Sequence, residues 1–302
     1  MQTEPSGVLI VNKHAGVTSH DIVYKIRRLY GTKRVGHTGT LDPMAEGVLV
    51  MLVGRAAKAA EYLVCDSKRY RAGLRLGLTT DTEDTTGEVL TRSESIPKES
   101  EVRAACASFV GKYAQIPPMY SALKVGGQKL CDLARRGVTV ERQPREVEIF
   151  ALSVDATDSN ADYTLDVACS SGTYIRTLCA DIGAKLGCGG VMSSLVRTEA
   201  GGYPIDEALT IAELEEMGEE ERLARLLPIE SLFEALPKLT LADFYEKLSR
   251  NGCEIYQKKI KTDYPVGQKF ALYGKRGFYA LGEVRDYEGG SAVKVIKLFE
   301  LG

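Results

Sequence analysis

At 302 residues, with 44% hydrophobic and 26% charged residues and a net charge of −2, the chain suggests one large domain and a small one. No apolar run approaches the roughly 20 residues that span a bilayer, and MQTEPSGVLIVNK lacks the basic head and long apolar core of a signal peptide, so a cytoplasmic protein with no membrane contact is expected. Seven cysteines without a CxxC pair read as reduced thiols, and with only His14, His20 and His37 available no zinc or other metal site is expected.

Taken in order, the elements read as mixed α and β. GVLIVN is a short buried strand. TSHDIVYKIRRLYG is a helix, with Thr18 and Asp21 as a capping box, Ile22, Val23, Ile26 and Tyr30 as its apolar face and Gly31 as its stop. The polar, turn-rich stretch VGHTGTLDPMAEGVL, residues 35–49, runs into the apolar strand VLVMLVG. RAAKAAEYLV is expected to be a helix, and SKRYRAGLRLG an extended strand ending in the loop TTDTEDTTG. After a helix near 99–110, QIPPMYSALKVGGQKL breaks regularity with a proline pair and a glycine pair. Strands are expected at 145–155 and 163–169, then a helix at 173–186 with Ile175, Leu178, Cys179 and Ile182 on one stripe. Beyond Pro237 the short alternating runs KFALYG, GFYALGEV and AVKVIKLF predict a small, mostly β domain.

Charge is unevenly spread along these elements. Residues 206–221 carry eight acidic side chains and no basic one. Residues 117–145 are net +4, through Lys124, Lys129, Arg135, Arg136, Arg142 and Arg145 against Asp132 and Glu141, and residues 237–302 are also net +4. Two basic segments beside an acidic strip fit a polyanion partner, and solvated helix faces would look much the same.

In the stretch 35–49, Pro43 restricts Asp42 to extended backbone, while Gly36, Gly39 and Gly47 permit tight turns on either side. An Asp-Pro pair is most often a turn or a helix cap. A glycosidase would need Asp42 to work with Glu46 as a carboxylate pair. Four residues across a proline and a glycine hardly fix such a pair. No GxSxG elbow is present, and VGGQK lacks the spacing of a phosphate-binding loop.

Five stretches in fixed order decide between these readings: GVLIVNKHAGVTSHDIV, RVGHTGTLDPMAEGVL, KRYRAGLRLGLTTDTEDTTG, QIPPMYSALKVGGQKL and CSSGTYIRTLCADIGAKLG. Together they closely resemble the TruB family of tRNA pseudouridine-55 synthases over nearly the whole chain. The β tail resembles, less specifically, the family's RNA-binding PUA domain. The resemblance implies an α+β catalytic domain over residues 1–229, with a mixed, largely antiparallel sheet flanked by helices, and a linker and PUA-like domain over 230–302. The insert at 117–145 resembles the family's thumb, which closes on the T-loop.

The implied reaction breaks the C1′–N1 bond of one uridine, turns the base and rejoins it through C5. Nothing is oxidised and no water is consumed, so no cofactor is expected. Asp42 matches the catalytic aspartate of GHxGxLDP. Tyr70 matches the tyrosine that stacks on the target base, a candidate for helping to remove the C5 proton. Arg176 matches the arginine that pairs with the aspartate and orients it. By the same resemblance Tyr174 lines the pocket, Leu195 lies beside the base, and His37 enters the space left by the flipped nucleotide. Lys13 matches a lysine near the active-site framework, for salt-bridge duty or substrate contact alike. The basic thumb, including Lys124 and Lys129, suits contacts to RNA phosphates. The expected partner is the tRNA T-stem-loop, with no obligatory protein partner.

The chain departs from the family pattern at His14, where proline is usual, at Cys131, where tyrosine is common, and at Val196, where arginine is common. A non-catalytic RNA-binding protein on the same scaffold is the competing class. The intact set of Asp42, Tyr70 and Arg176 argues against it.

Overall fold

The computed structural model describes residues 4–63 and 67–300. Unbroken apolar runs give the first strands: β1 (Gly7–Lys13) is nearly all buried, and α1 (Ser19–Leu29) follows it. The expected capping box forms, with Thr18 accepting the Asp21 N–H and Asp21 accepting the Thr18 N–H. Next come β2 (Val35–His37) and β3 (Glu46–Val53), and Ile22, Val23 and Ile26 of α1 pack on Leu9, Val11, Leu49 and Met51.

The helix expected over RAAKAAEYLV is corrected to a single 3-10 segment, Gly54–Ala59. Gly54 has φ 59° against the Pro5 carbonyl, Ala56 is buried against Val8, Val48 and Val50, and Ala59 against Phe233. Close packing of small side chains replaces the amphipathic face that a longer helix would need. Val64 at the end of that stretch lies outside the described residues.

β4 (Ser67–Leu76) alternates as expected, with Tyr70, Ala72, Leu74 and Leu76 buried and Arg69, Arg71 and Arg75 outward. The loop TTDTEDTTG closes a hairpin of β5 (Leu78–Thr80) and β6 (Val89–Arg92). Then follow α2 (Glu99–Ala107), β7 (Gly111–Gln115), the hairpin of β8 (Lys124–Val125) and β9 (Gln128–Lys129), and α3 (Leu130–Ala134). β10 (Arg145–Ala156), β11 (Asp162–Ser170), α4 (Ile175–Lys185), β12 (Gly190–Ala200) and β13 (Tyr203–Pro204) complete a nine-stranded sheet in the order β1–β3–β12–β4–β11–β10–β7. β2 pairs with β3, and β13 with β12.

Every pairing in this sheet is antiparallel except β3 with β12, where Val196 faces Glu46 and Arg197 faces Gly47. Only glycine fits there: Gly47 has φ 100°, and a Cβ would lie 2.2 Å from the Arg197 carbonyl oxygen. α2 and α4 cover one face, burying Val102, Cys106, Leu178, Cys179 and Ile182 against Leu74, Leu76, Ile149 and Leu165.

Two short helices, α5 (Ile211–Glu216) and α6 (Glu219–Ala224), carry the acidic strip. The tail contains β14 (Lys238–Thr240), α7 (Asp243–Arg250), β15 (Ile255–Tyr256), α8 (Gln257–Ile260), β16 (Lys269–Gly274), β17 (Gly277–Tyr287) and β18 (Gly290–Leu298). Its five strands form a second sheet, β14–β16–β17–β18–β15, around Phe270, Leu272, Tyr279, Val284 and Val293. A separate apolar cluster joins Phe278, Leu281 and Phe299 of the tail to Ala59, Phe233 and Tyr62.

Candidate active site

Asp42 opens a β-turn. Pro43 follows it, and the Ala45 N–H donates back to the Asp42 carbonyl at 3.1 Å. The turn is held from several directions. Ser19, first residue of α1, donates its hydroxyl to the Leu41 carbonyl (3.0 Å) and accepts the Leu41 N–H (2.8 Å). The Gly16 N–H donates to the Pro43 carbonyl at 2.8 Å. The Lys13 ammonium donates to the carbonyls of His14 (3.0 Å), Val17 (2.9 Å) and Pro43 (3.3 Å).

Lys13 is wholly buried and braces the turn. Burial lowers its pKa, and the nearby carboxylates of Asp42 and Glu46 oppose that shift. Its three donors point at the carbonyls that shape the loop.

The Asp42 side chain is 38% exposed, and its Oδ2 lies 3.0 Å from Nε of Arg176, whose side chain is 6% exposed. Arg176 stands in the first turn of α4 and fills its other donors elsewhere. Nη1 reaches the Thr82 carbonyl (3.0 Å) and lies 3.6 Å from Asp84 Oδ2, and Nη2 reaches the Tyr120 carbonyl (2.8 Å). Asp84 is itself fixed, because its Oδ1 accepts the Thr82 hydroxyl (2.7 Å) and the Thr86 N–H (2.9 Å). The guanidinium thus ties the Asp42 turn to the β5–β6 loop and to the start of the 117–145 insert. The Tyr120 hydroxyl adds a second tie at 3.2 Å, to Asp81.

Tyr70 and Leu195 lie on adjacent strands, one opposite Arg197 and the other opposite Ala72. Both are buried in one cluster with Leu41 and Ala45, an apolar floor that reaches the Asp42 turn. Tyr174 caps α4. Its N–H donates to the Gln115 side chain (2.8 Å), whose amide donates back to the Tyr174 carbonyl (3.0 Å). Burial pushes the Tyr174 hydroxyl up, with the charge of Asp42 adding a smaller push in the same direction.

His37 ends β2 with its Nδ1 buried and without a hydrogen-bond partner. Burial lowers its pKa, and Arg197 and His20 lower it further, which favours a neutral, flat ring. Lys124 and Lys129 face each other across the β8–β9 hairpin, both exposed. Like charges directly opposite repel, so an anion between them would be stabilising.

Four contributors were not singled out from the sequence. Arg197 is 1% exposed and donates to the carbonyls of Val48 (2.7 Å) and Gly39 (3.1 Å), supporting the GHTG loop from below. The others are Asp84, Gln115 and Ser19. One signal was available for Arg197: it sits in the same strand phase as buried Leu195. At the departures, His14 is exposed with its carbonyl held by Lys13, Cys131 donates its N–H to the Ser121 carbonyl (3.0 Å), and Val196 pairs with Glu46.

A carboxylate aimed by a buried guanidinium, beside an apolar floor with an aromatic ring, suits chemistry on a base lifted out of its stack. Residues 27–175 match the model of the TruB family pseudouridylate synthase (N terminal domain), and residues 176–234 that of the tRNA pseudouridylate synthase B C-terminal domain. The chain is 43% identical over 298 residues to the tRNA pseudouridine synthase B of Alkaliphilus oremlandii, covering 98% of each chain. It is 46% identical over 281 residues to the protein of the same name from Syntrophotalea carbinolica, covering 91% of each. Among solved structures it is similar to a Cbf5-Nop10-Gar1 complex chain at 25% identity, with a TM-score of 0.72 over 97% of this chain and 85% of that one. An H/ACA RNP bound to a substrate RNA containing 2′-deoxyuridine gives a likeness of fold at 23% identity, with a TM-score of 0.73 over 98% of this chain and 85% of that one.

Proposed function

Because the chain belongs to the TruB family of pseudouridylate synthases, we propose that it converts the uridine at position 55 of the tRNA T-loop to pseudouridine, with Asp42 as catalytic carboxylate. The fold is that of pseudouridine synthases, with a PUA-like β domain at its C-terminus. The observation that carries the assignment is the 3.0 Å pairing of partly exposed Asp42 with buried Arg176.

In this reading the target nucleotide leaves its stack at a cost of a few kcal/mol. The base enters the apolar floor, Tyr70 stacks on it, and Leu195 and Tyr174 bound the pocket. The neutral ring of His37 takes the vacated place. The Asp42 carboxylate then serves the breaking of the C1′–N1 bond. The base turns, a C1′–C5 bond forms, the C5 proton passes to water and N1 takes up a proton, with no net oxidation. Arg176 keeps the carboxylate aimed throughout, as its planar fork allows.

Residues 1–229 form the catalytic unit, the insert at 117–145 closes over the T-stem-loop, and residues 230–302 bind RNA. The protein works in the cytoplasm, where tRNA is processed. Among the described residues no helix is long and apolar enough to cross a membrane.

With uridine tritiated at C5 in a T-stem-loop, the protein is expected to release tritium to water and leave pseudouridine at that one position. Asp42→Asn keeps the size of the side chain and removes its charge. Tritium release should vanish while RNA binding persists, and substantial turnover by that variant would remove Asp42 from the chemistry.

A further inference from the structure

α1 and the turn that follows it carry positive charge close to the site. Residues 19–34 hold Lys25, Arg27, Arg28, Lys33 and Arg34 against one acid, Asp21, which is engaged in the capping box. Arg34 pairs with Glu4, but among the described residues Lys25, Arg27, Arg28 and Lys33 have no ion-pair partner. Several cations of the main sheet and of the tail are neutralised. On the open face of the main sheet Arg69, Arg71 and Arg75 pair with Glu199, Asp166 and Asp162, and a cavity of about 440 Å³ on that face is lined by Arg69, Arg71 and Asp166. In the tail Arg250, Arg285, Lys294 and Lys297 pair with glutamates.

Apolar residues of α1 bury one side, and His20, Tyr24, Arg27 and Arg28 form a stripe along the flank beyond it. Tyr24 is 56% exposed yet held in place. The His20 ring meets it edge-on, with centroids 4.9 Å apart and planes at 86°, and the Arg27 guanidinium lies 5.6 Å from its centre. Arg27 Nε is buried without a hydrogen-bond partner. Cations in a last helical turn suit the helix dipole. The dipole explains neither the exposed, braced ring in front of them nor Lys33 beyond the helix.

The stripe is continuous with the active site. It starts one residue after Ser19, which bonds both polar groups of the Leu41 backbone, next to Asp42. His20 also stands close enough to His37 for its charge to disfavour protonation there.

We infer that the α1 stripe is an RNA-contact surface that takes the strand flanking the flipped nucleotide, with one base stacked on Tyr24 and phosphates on Arg27 and Arg28. An aromatic platform beside cations is how single-stranded nucleic acid is held, and at 1.5 Å per helical residue the stripe is long enough for two phosphates. The inference rests on the pseudouridine synthase reading and adds to it a contact surface outside the catalytic pocket.

The test measures affinity for a T-stem-loop RNA in the Asp42→Asn protein, so that turnover does not intervene. Adding Tyr24→Ala should weaken binding about tenfold, as the loss of one stacked base does. Adding Arg28→Gln should weaken it and lower the slope of log affinity against log salt by roughly 0.7–0.9, one phosphate contact. Arg75→Gln, the same charge change on the open sheet face, should leave affinity and slope unchanged.

Equal losses for Arg28→Gln and Arg75→Gln would reduce the effect to net charge and overturn the inference, as would unchanged affinity with Tyr24→Ala. Self-association of the protein that Tyr24→Ala abolishes would assign the face to a second copy instead. Pseudouridine formation by the unaltered protein on the same RNA is measured alongside. Its absence removes the underlying reading, whereas pseudouridine formed with equal affinities removes only the α1 surface.

Discussion

Arg176 makes polar contacts with Asp42, Asp84, Thr82 and Tyr120, groups brought in by three separate segments. A guanidinium can do this because its donors diverge in a plane, whereas an ammonium is a point charge. Arg176→Lys is therefore expected to keep charge near Asp84 and the fold largely intact, yet lose the aim of Asp42. Single-turnover rates at saturating RNA should fall about 10²-fold, near 2.7 kcal/mol of transition-state stabilisation. Rates equal to the unaltered protein would make the arginine merely structural. An alanine would be a poorer probe, since it strands Asp84 as a buried unpaired charge at a cost of about 3–5 kcal/mol.

At the level of elements, the β5–β6 loop and α4 meet through carboxylates that the sequence did not mark. Thr177 donates to Glu83 at 2.6 Å, and Glu83 takes a left-handed backbone, φ 63°. Burial raises the pKa of Glu83, and burial together with the Glu83 charge pushes Asp181 up to about 6. A carboxyl whose folded pKa exceeds its unfolded value stabilises fully below the unfolded value, and that contribution is lost as pH rises through the folded one. Stability should thus decline between about pH 4 and 6 by an amount of order 1–2 kcal/mol from Asp181. Asp181→Asn should flatten that part of a plot of melting temperature against pH, and an unchanged plot would count against the burial of this group. Elements governed by local pattern, such as the Thr18 capping box, the alternation of β4 and the stripe of α4, were legible in the sequence. So was the meeting of Asp42 with Arg176, because each sits in a contiguous motif. Arg197 and Gln115 were not, since their partners Val48 and Tyr174 lie 149 and 59 residues away. Gly54–Ala59 misled for a related reason: alanines favour helix locally, and packing on a distant strand decided the outcome.

For the molecule as a whole, the tail is bonded to the main domain as well as linked to it. Phe278 stacks on Phe299 with centroids 5.6 Å apart, both rings pack on Phe233, and the Tyr62 hydroxyl donates to the Ile296 carbonyl at 3.1 Å. Removing residues 237–302 should therefore lower the melting temperature and promote aggregation, and cannot by itself report on RNA. Substituting Lys258, Lys259 and Lys261 with glutamine is the cleaner probe: the salt dependence of tRNA binding should flatten with the melting temperature held. An unchanged salt slope would make the tail structural. The parallel contact of β3 with β12 reaches further still. The Asp42 turn leads into β3, but β3 is completed at Gly47 by Arg197, and β1 is completed at Val8 by Leu227. Closing contacts so far apart along the chain is slow, and it cannot begin until the later partner has been made. During synthesis the Asp42 turn is therefore translated early and set late. A nascent chain carries Asp42 through much of its emergence from the ribosome before the arginines that hold its surroundings, Arg176 and Arg197, have been made.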